Sequence, residues 1–435
     1  MSGVVLWAMM LVTLVALTGV SRAQESFIDP RVQLREGINR EALDAEEKET
    51  YDLIVNPTNP HRYGLPTPIG MWMHSPKMAR HILPAYMYLR YGNSLGRRLT
   101  TVAILTTGRE LNSPTQWGTH SVNAQRIGLE QEVMDAIGHR GSLEGLGEKD
   151  ALVIRFGREL FGNRRVSSET FADAIRIIGR RGVADLGGLM AFYRFLFLSS
   201  NIAFDLQPGS LPPLPPSEGQ DLSSIKRSSP VAAAPGSPFP PDIDPDSRAR
   251  LPRVNRDDLD DEGKKTYDLI VNPTSPHRYG LPTPIGMWMH NPKMAKHILP
   301  AYMYLRFGNP FGVRLTELII LVTAREINSQ YQWSSHEPTA LKVGLEQEII
   351  DVVKYRRDPD GLGEKENLII RFGRELIGDE RVSPETFTQV LNVFGRRGVT
   401  DLAALMALYE FLMLSSNATF DLQMSPDSRP LLPTL

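Results

Sequence analysis

Residues Glu317 to Gly344 read ELIILVTAREINSQYQWSSHEPTALKVG. The first ten residues carry an apolar run from Leu318 to Val322 and an acid at each end, then a polar Asn-Ser step leads into a second segment with apolar or aromatic residues at helical spacing. Asn and Ser favour helix ends and caps, so the stretch predicts two helices joined by a tight turn. Glu317 lies on the first helix and His336 on the second. The stretch around them contains no alternating strand pattern.

Moving outward, the same text occurs twice. His61 pairs with His277, Glu110 with Glu326 and Asp205 with Asp421, always at one offset. From Ile38 to Gln207, and from Val254 to Gln423, the copies align without a gap, with about two-thirds of positions identical. A period this long is a duplicated domain and not a short solenoid repeat. Residues 208–253 between the copies are rich in Pro, Ser and Gly, which predicts a linker of extended polyproline character unable to fold alone.

Every segment of each copy has helical apolar spacing. AEEKETYDLIV and DEGKKTYDLIV end before Asn-Pro, where proline blocks continuation. SPKMARHILPAYMYLRYG and NPKMAKHILPAYMYLRFG start with Ser or Asn as a cap and Pro at the first helical position. Pro84 and Pro300 inside them predict a kink. SSETFADAIRIIGRRG and the following VADLGGLMAFYRFLFLSSNIAF predict two further helices, the second apolar enough to be the centre of a bundle. The expected fold is all-α, in two tandem copies.

The 48 basic and 50 acidic residues are interspersed and leave a net charge of -2, without the basic surface that nucleic acid requires. No nucleic-acid partner is expected. There is no cysteine, which removes disulfides and thiolate chemistry together. The apolar run VVLWAMMLVTLVALTGV followed by SRAQES reads as a signal peptide over residues 1–23 and a secreted or periplasmic protein. No Lys or Arg precedes that run, so an N-terminal membrane anchor is the alternative.

The spacing of Tyr331, Trp333, His336, Ala340 and Gly344, matched by Trp117, His120, Ala124 and Gly128 in the first copy, together with RFGREL downstream, resembles the carboxymuconolactone decarboxylase family and its alkylhydroperoxidase D-like relatives. The resemblance covers nearly all of both copies and implies an alkylhydroperoxidase D-like helical bundle for each. It also implies a site made of an upstream Glu, two cysteines and a His. Here those positions hold Glu317, Ser329, Gln332 and His336, and in the first copy Thr101, Ser113, Gln116 and His120. A hydroxyl and an amide form neither sulfenic acid nor disulfide, so the thiol-peroxidase chemistry of that superfamily is excluded.

What remains suits proton transfer. His336 is the expected general acid or base, with Glu317 or Glu326 orienting it, and the resemblance points to decarboxylation or related chemistry on a small organic acid or lactone. Trp333 and Trp117 are read as pocket walls, Arg325 or Arg109 as a holder of a substrate carboxylate, and His120 as the binding counterpart of His336. No metal and no cofactor is expected. His74 with His81, and His290 with His297, are spaced seven apart; they read as capping or core residues or, with a third ligand, as a metal pair. His61, Tyr63 and Trp72 read as pocket-lining or loop-anchoring residues. The two domains are expected to pack as a pseudo-dimer, with further homo-oligomerisation open, and a non-catalytic binding or assembly module is the alternative to an enzyme.

Overall fold

The computed structural model describes residues 29–36, 38–55, 67–217, 238–271, 283–429 and 431–433. The signal-like segment, His61, Tyr63 and the middle of the linker lie outside the described residues. Among the described residues every regular element is helical, and the only β-type pairing is an isolated bridge between Asp244 and Ala249. The fold is all-α.

Each half contributes a helix over Gly96–Glu110 or Gly312–Glu326, a following helix over Pro114–Arg126 or Gln330–Lys342, and a long element over Ser168–Leu196 or Pro384–Leu412. Ser167 and Ser383 cap the long elements, their hydroxyls accepting from the N–H of Thr170 and Thr386 at 3.2 Å. The two helices expected there from the sequence meet earlier than the text suggests. The break falls at Gly179 and Gly395, at φ +68° and +69°, a region that side chains with a Cβ rarely enter. Beyond it the chains run through the centre, and the most apolar eighteen-residue window of each is wholly buried.

Pro84 and Pro300 do not end their helices, which continue over Pro76–Met87 and Pro292–Met303 and then widen into π turns at Tyr88–Gly92 and Tyr304–Gly308. Asn291 caps as expected, accepting from Met294 N. Ser75 makes no cap; its hydroxyl donates to Asp401 Oδ1 at 2.6 Å, in the other half. Reciprocally, Asn291 Nδ2 donates to Asp185 Oδ1 at 2.6 Å. His81 stacks on Tyr304 and His297 on Tyr88, again across the halves. Phe192 and Phe411 meet edge to face at the centre.

The described ends of the linker are not free spacers. Phe239, Ile243, Ala249 and Leu251 are buried, and Arg250 donates to Val166 O at 2.6 Å while pairing with Asp421 at 3.1 Å. A segment too poor in apolar residues to fold alone is ordered here by docking its few large side chains on the helical body.

Candidate functional site

The site is built where three elements of the second half meet. Ser329 opens the Gln330–Lys342 helix by accepting from Gln332 N at 3.3 Å, and the helix runs unbroken through Pro338. Gln332 turns inward, its amide donating to Tyr409 O on the long central helix. Ser113 and Gln116 repeat both bonds in the first half, Gln116 Nε2 reaching Tyr193 O at 2.8 Å. The positions that the resemblance assigns to sulfur are therefore a helix cap and a helix-to-helix tie.

One turn on, His336 Nδ1 lies 2.8 Å from Glu317 Oε2, and the other carboxylate oxygen accepts from Arg306. Glu317 has no exposed surface, while His336 keeps 18% of its side-chain surface open. Burial pushes the Glu317 carboxyl up, but the hydrogen bond and charge of His336, with the Arg306 charge, outweigh it and hold the carboxyl below its ordinary value. Tyr409 closes one face of the imidazole edge-on at 5.3 Å, its phenol pushed well up by burial. The carboxylate fixes which ring nitrogen faces inward and leaves Nε2 turned away from it.

Arg306 and Tyr409 were not among the residues singled out from the sequence. Arg306 sits in the π turn Tyr304–Gly308, where the extra residue per turn re-aims side chains. A signal existed: from Tyr51 to Arg90 the copies differ at only three positions, and this segment ends on an arginine within an aromatic run.

The other candidates have partners of their own. Glu326 is about nine residues further along its helix than Glu317, roughly 13 Å, and pairs with Arg356 at 2.9 Å. Trp333 is fully buried, its indole N–H donating to Glu337, with Lys354 Nζ 5.7 Å above the ring and 3.1 Å from the same carboxylate. Trp117 is buried against Gly138 and Pro215. Arg325 Nη1 donates to Pro433 O at 2.8 Å and Arg109 Nη1 to Pro215 O at 2.7 Å, so both guanidiniums clasp the chain that follows their own copy.

His74 and His290 are buried against Phe204 and Phe420, and Trp72 is buried with its N–H on Ser199. His81 and His297 face the opposite half instead. Among the described residues no three His, Asp or Glu converge as metal ligands.

In the first half the acid is missing. Thr101 occupies the place of Glu317, with its hydroxyl turned back to Arg97 O at 2.9 Å. His120 Nδ1 is buried without a hydrogen-bond partner, and Tyr193 packs on the ring as Tyr409 does on His336. Burial, with the Arg90 charge, pushes the His120 imidazole down to about 3. A cavity of about 610 Å³ opens beside it, bounded in part by Gln116, Tyr193 and Leu211. No protein-family model matches the chain, and a comparison with curated proteins gives no match either.

Proposed function

We propose that the chain is a cysteine-free relative of the carboxymuconolactone decarboxylase family that performs acid–base chemistry at His336 on a small organic acid or lactone. The observation that carries this reading is the 2.8 Å contact between His336 Nδ1 and a fully buried Glu317 that Arg306 holds from its other side. Such a carboxylate orients the ring, so Nε2 can take a proton from a substrate and return it to the carbon left by departing carbon dioxide. The reciprocal contacts of Asp185 with Asn291 and Asp401 with Ser75 support a pseudo-twofold unit in which the two halves work as one body.

A second reading, a binding or assembly module without catalysis, is favoured by the stacking of His81 and His297 across the halves and by the complete burial of Trp333. The two are separated by a screen of lactones and unsaturated carboxylic acids with the purified protein. For any substrate found, His336→Ala is expected to lower kcat by about a hundredfold or more, and His120→Ala to leave it nearly intact. Turnover that survives His336→Ala in a folded variant rejects the assignment. Hydroperoxide reduction driven by a dithiol is expected to be absent.

A further inference from the structure

Both halves hold a Leu-Pro dipeptide through the same arginine. Arg109 and Arg325 are equivalent positions of the repeat, both buried, and they donate to Pro215 O at 2.7 Å and to Pro433 O at 2.8 Å. The residue before each proline is a leucine, Leu214 or Leu432. The dipeptides themselves are out of register with the repeat: Leu214 lies seven residues after Gln207, and Leu432 nine residues after the equivalent Gln423. Connections of different length thus bring the same dipeptide to the same guanidinium. The groove selects it, and the spacing of the chain does not.

Backbone stereochemistry explains why Leu-Pro suits such a groove. A proline biases the residue before it towards extended backbone, so the leucine loses less freedom on docking, and the proline brings no N–H that would need a partner. In the second half Gln330 takes both main-chain groups of Leu432, donating to its O at 2.6 Å and accepting from its N–H at 2.8 Å. The Leu432 side chain is 3% exposed and joins the core, while its neighbour Leu431 is 46% exposed. In the first half Pro114 stands at the Gln330 position, Leu214 is only half-buried, and His139 Nδ1 lies 2.9 Å from the next carbonyl, Pro216 O. The second-half groove is therefore the more complete reader of the dipeptide. The described residues from Met424 to Leu431 hydrogen-bond only among themselves, through Ser425, Pro426, Ser428 and Arg429. The tether adds no hydrogen bond to the helical body between Gln423 and Leu432.

We propose that the groove formed by Arg325 and Gln330 is a peptide-recognition site for an extended Leu-Pro sequence, which Leu432 and Pro433 fill within one chain and the same two residues of a second copy fill between chains. Main-chain hydrogen bonds supply the hold, and the buried leucine with the proline after it supplies the choice. A groove that picks its dipeptide whatever the length of the connection also accepts that dipeptide untethered, against competition from its own segment at an effective concentration of about a millimolar. The site does not involve His336 and stands whether or not the chain is an enzyme.

The test uses the full-length chain and a labelled synthetic peptide, RPLLPTL, of residues 429–435. Leu432→Asp in the protein expels the chain's own segment, and this variant binds the peptide, read by fluorescence anisotropy, at least about tenfold more tightly than the parent does. Adding Arg325→Met to it weakens the peptide by about tenfold or more, and the same peptide with Leu432→Asp does not bind. Mixed at high concentration, the Leu432→Asp chain, with its groove free, and the Arg325→Met chain, with its segment released, give in sedimentation velocity a larger species than either gives alone. The proposal is wrong if folded Leu432→Asp does not bind the peptide, if the parent binds it as tightly, if the Leu432→Asp peptide binds equally, if Arg325→Met has no effect, or if the mixture sediments as the sum of its parts. Circular dichroism establishes folding. Should Leu432→Asp not fold, limited proteolysis of the parent decides: excess peptide speeds cleavage after Gln423 and the Leu432→Asp peptide does not, whereas equal rates with the two peptides overturn the proposal.

Discussion

Arg194 and Glu410 are the same position of the repeat, 216 residues apart, and their side chains meet at 3.1 Å with about 4% of each exposed. Arg194 also reaches Glu380 at 2.6 Å, and the repeat places Arg164 where the second half has Glu380. At both positions the sign of the charge is reversed between the copies. Two first halves packed in this way would set arginine against arginine, and two second halves glutamate against glutamate. The reversal favours the pairing of unlike halves that a single chain supplies.

Arg194→Ala is expected to destabilise the protein by about 3–5 kcal/mol, because it leaves Glu410 buried without its partner. Arg194→Glu alone costs at least as much. The double variant Arg194→Glu with Glu410→Arg recovers part of the loss, since the two positions are structurally equivalent but Glu380 then faces the new glutamate. Chemical denaturation of the three variants measures this, and a double variant no better than Arg194→Glu would remove the equivalence from the account.

The buried histidines set an acid limit on stability. Burial pushes His74 down to about 4, with Arg396 acting in the same direction against the bond from its ring to Leu34 O, and burial with Arg180 pushes His290 to about 3. Folded rings thus hold a proton less tightly than unfolded ones, whose ordinary value is 6.5. Their contribution is complete above about pH 6.5 and is lost as pH falls from there towards 3 to 4. His290→Phe removes two unpartnered ring nitrogens while keeping the contact with Phe420. It should flatten the slope of stability against pH by up to about 1.4 kcal/mol per pH unit, read from urea melts at several pH values between 4 and 7.

The helices were legible in the text because local rules fix them: apolar spacing, Asn291 as a cap, Pro292 at a helix start. Ser75 misled because its hydroxyl answers Asp401, a partner 326 residues away that no local rule foresees. Pro84 reads as a kink; it lies inside its helix, and a π turn follows beyond Met87, which local spacing did not announce. Glu317 and His336 were legible as a pair through the family resemblance and adjoining helices. Glu326 competed with Glu317 until the helix axis separated them. Arg306 escaped notice because it arrives from an earlier helix, and the cavity beside His120 because it is enclosed by side chains distant in sequence.

Arg325 is expected to act on the chain and not on a ligand. Gln330 donates to Leu432 O at 2.6 Å and accepts from its N–H at 2.8 Å, so with the Arg325 bond to Pro433 it pins the C-terminal segment to the site helix. Arg325→Met should speed limited proteolysis after Gln423 several-fold while leaving KM for any substrate unchanged. A raised KM with unchanged proteolysis would return Arg325 to the list of substrate contacts.

Glu317 gives the last expectation, and its window differs from that of the histidines. Its folded carboxyl lies below the ordinary value of 4.5, because His336 and Arg306 together outweigh the opposing effect of burial. An acid held down in this way stabilises the fold at pH values above its unfolded value, and that stability is lost as pH falls through the folded value. Glu317→Gln keeps the shape and removes the charge. It should cost about 1.5–3 kcal/mol at neutral pH, the range for hydrogen bonds to charged groups, and the cost should shrink as pH falls below the ordinary value of 4.5, where the unfolded carboxyl takes up its proton before the folded one. Thr101, the equivalent position, carries no charge, so Thr101→Ser should show no such pH dependence. Denaturation of both variants at pH 7 and pH 3.5 separates the outcomes. A Glu317→Gln penalty that is the same at both values would mean that the packing of the side chain, and not its charge between His336 and Arg306, is what the fold requires.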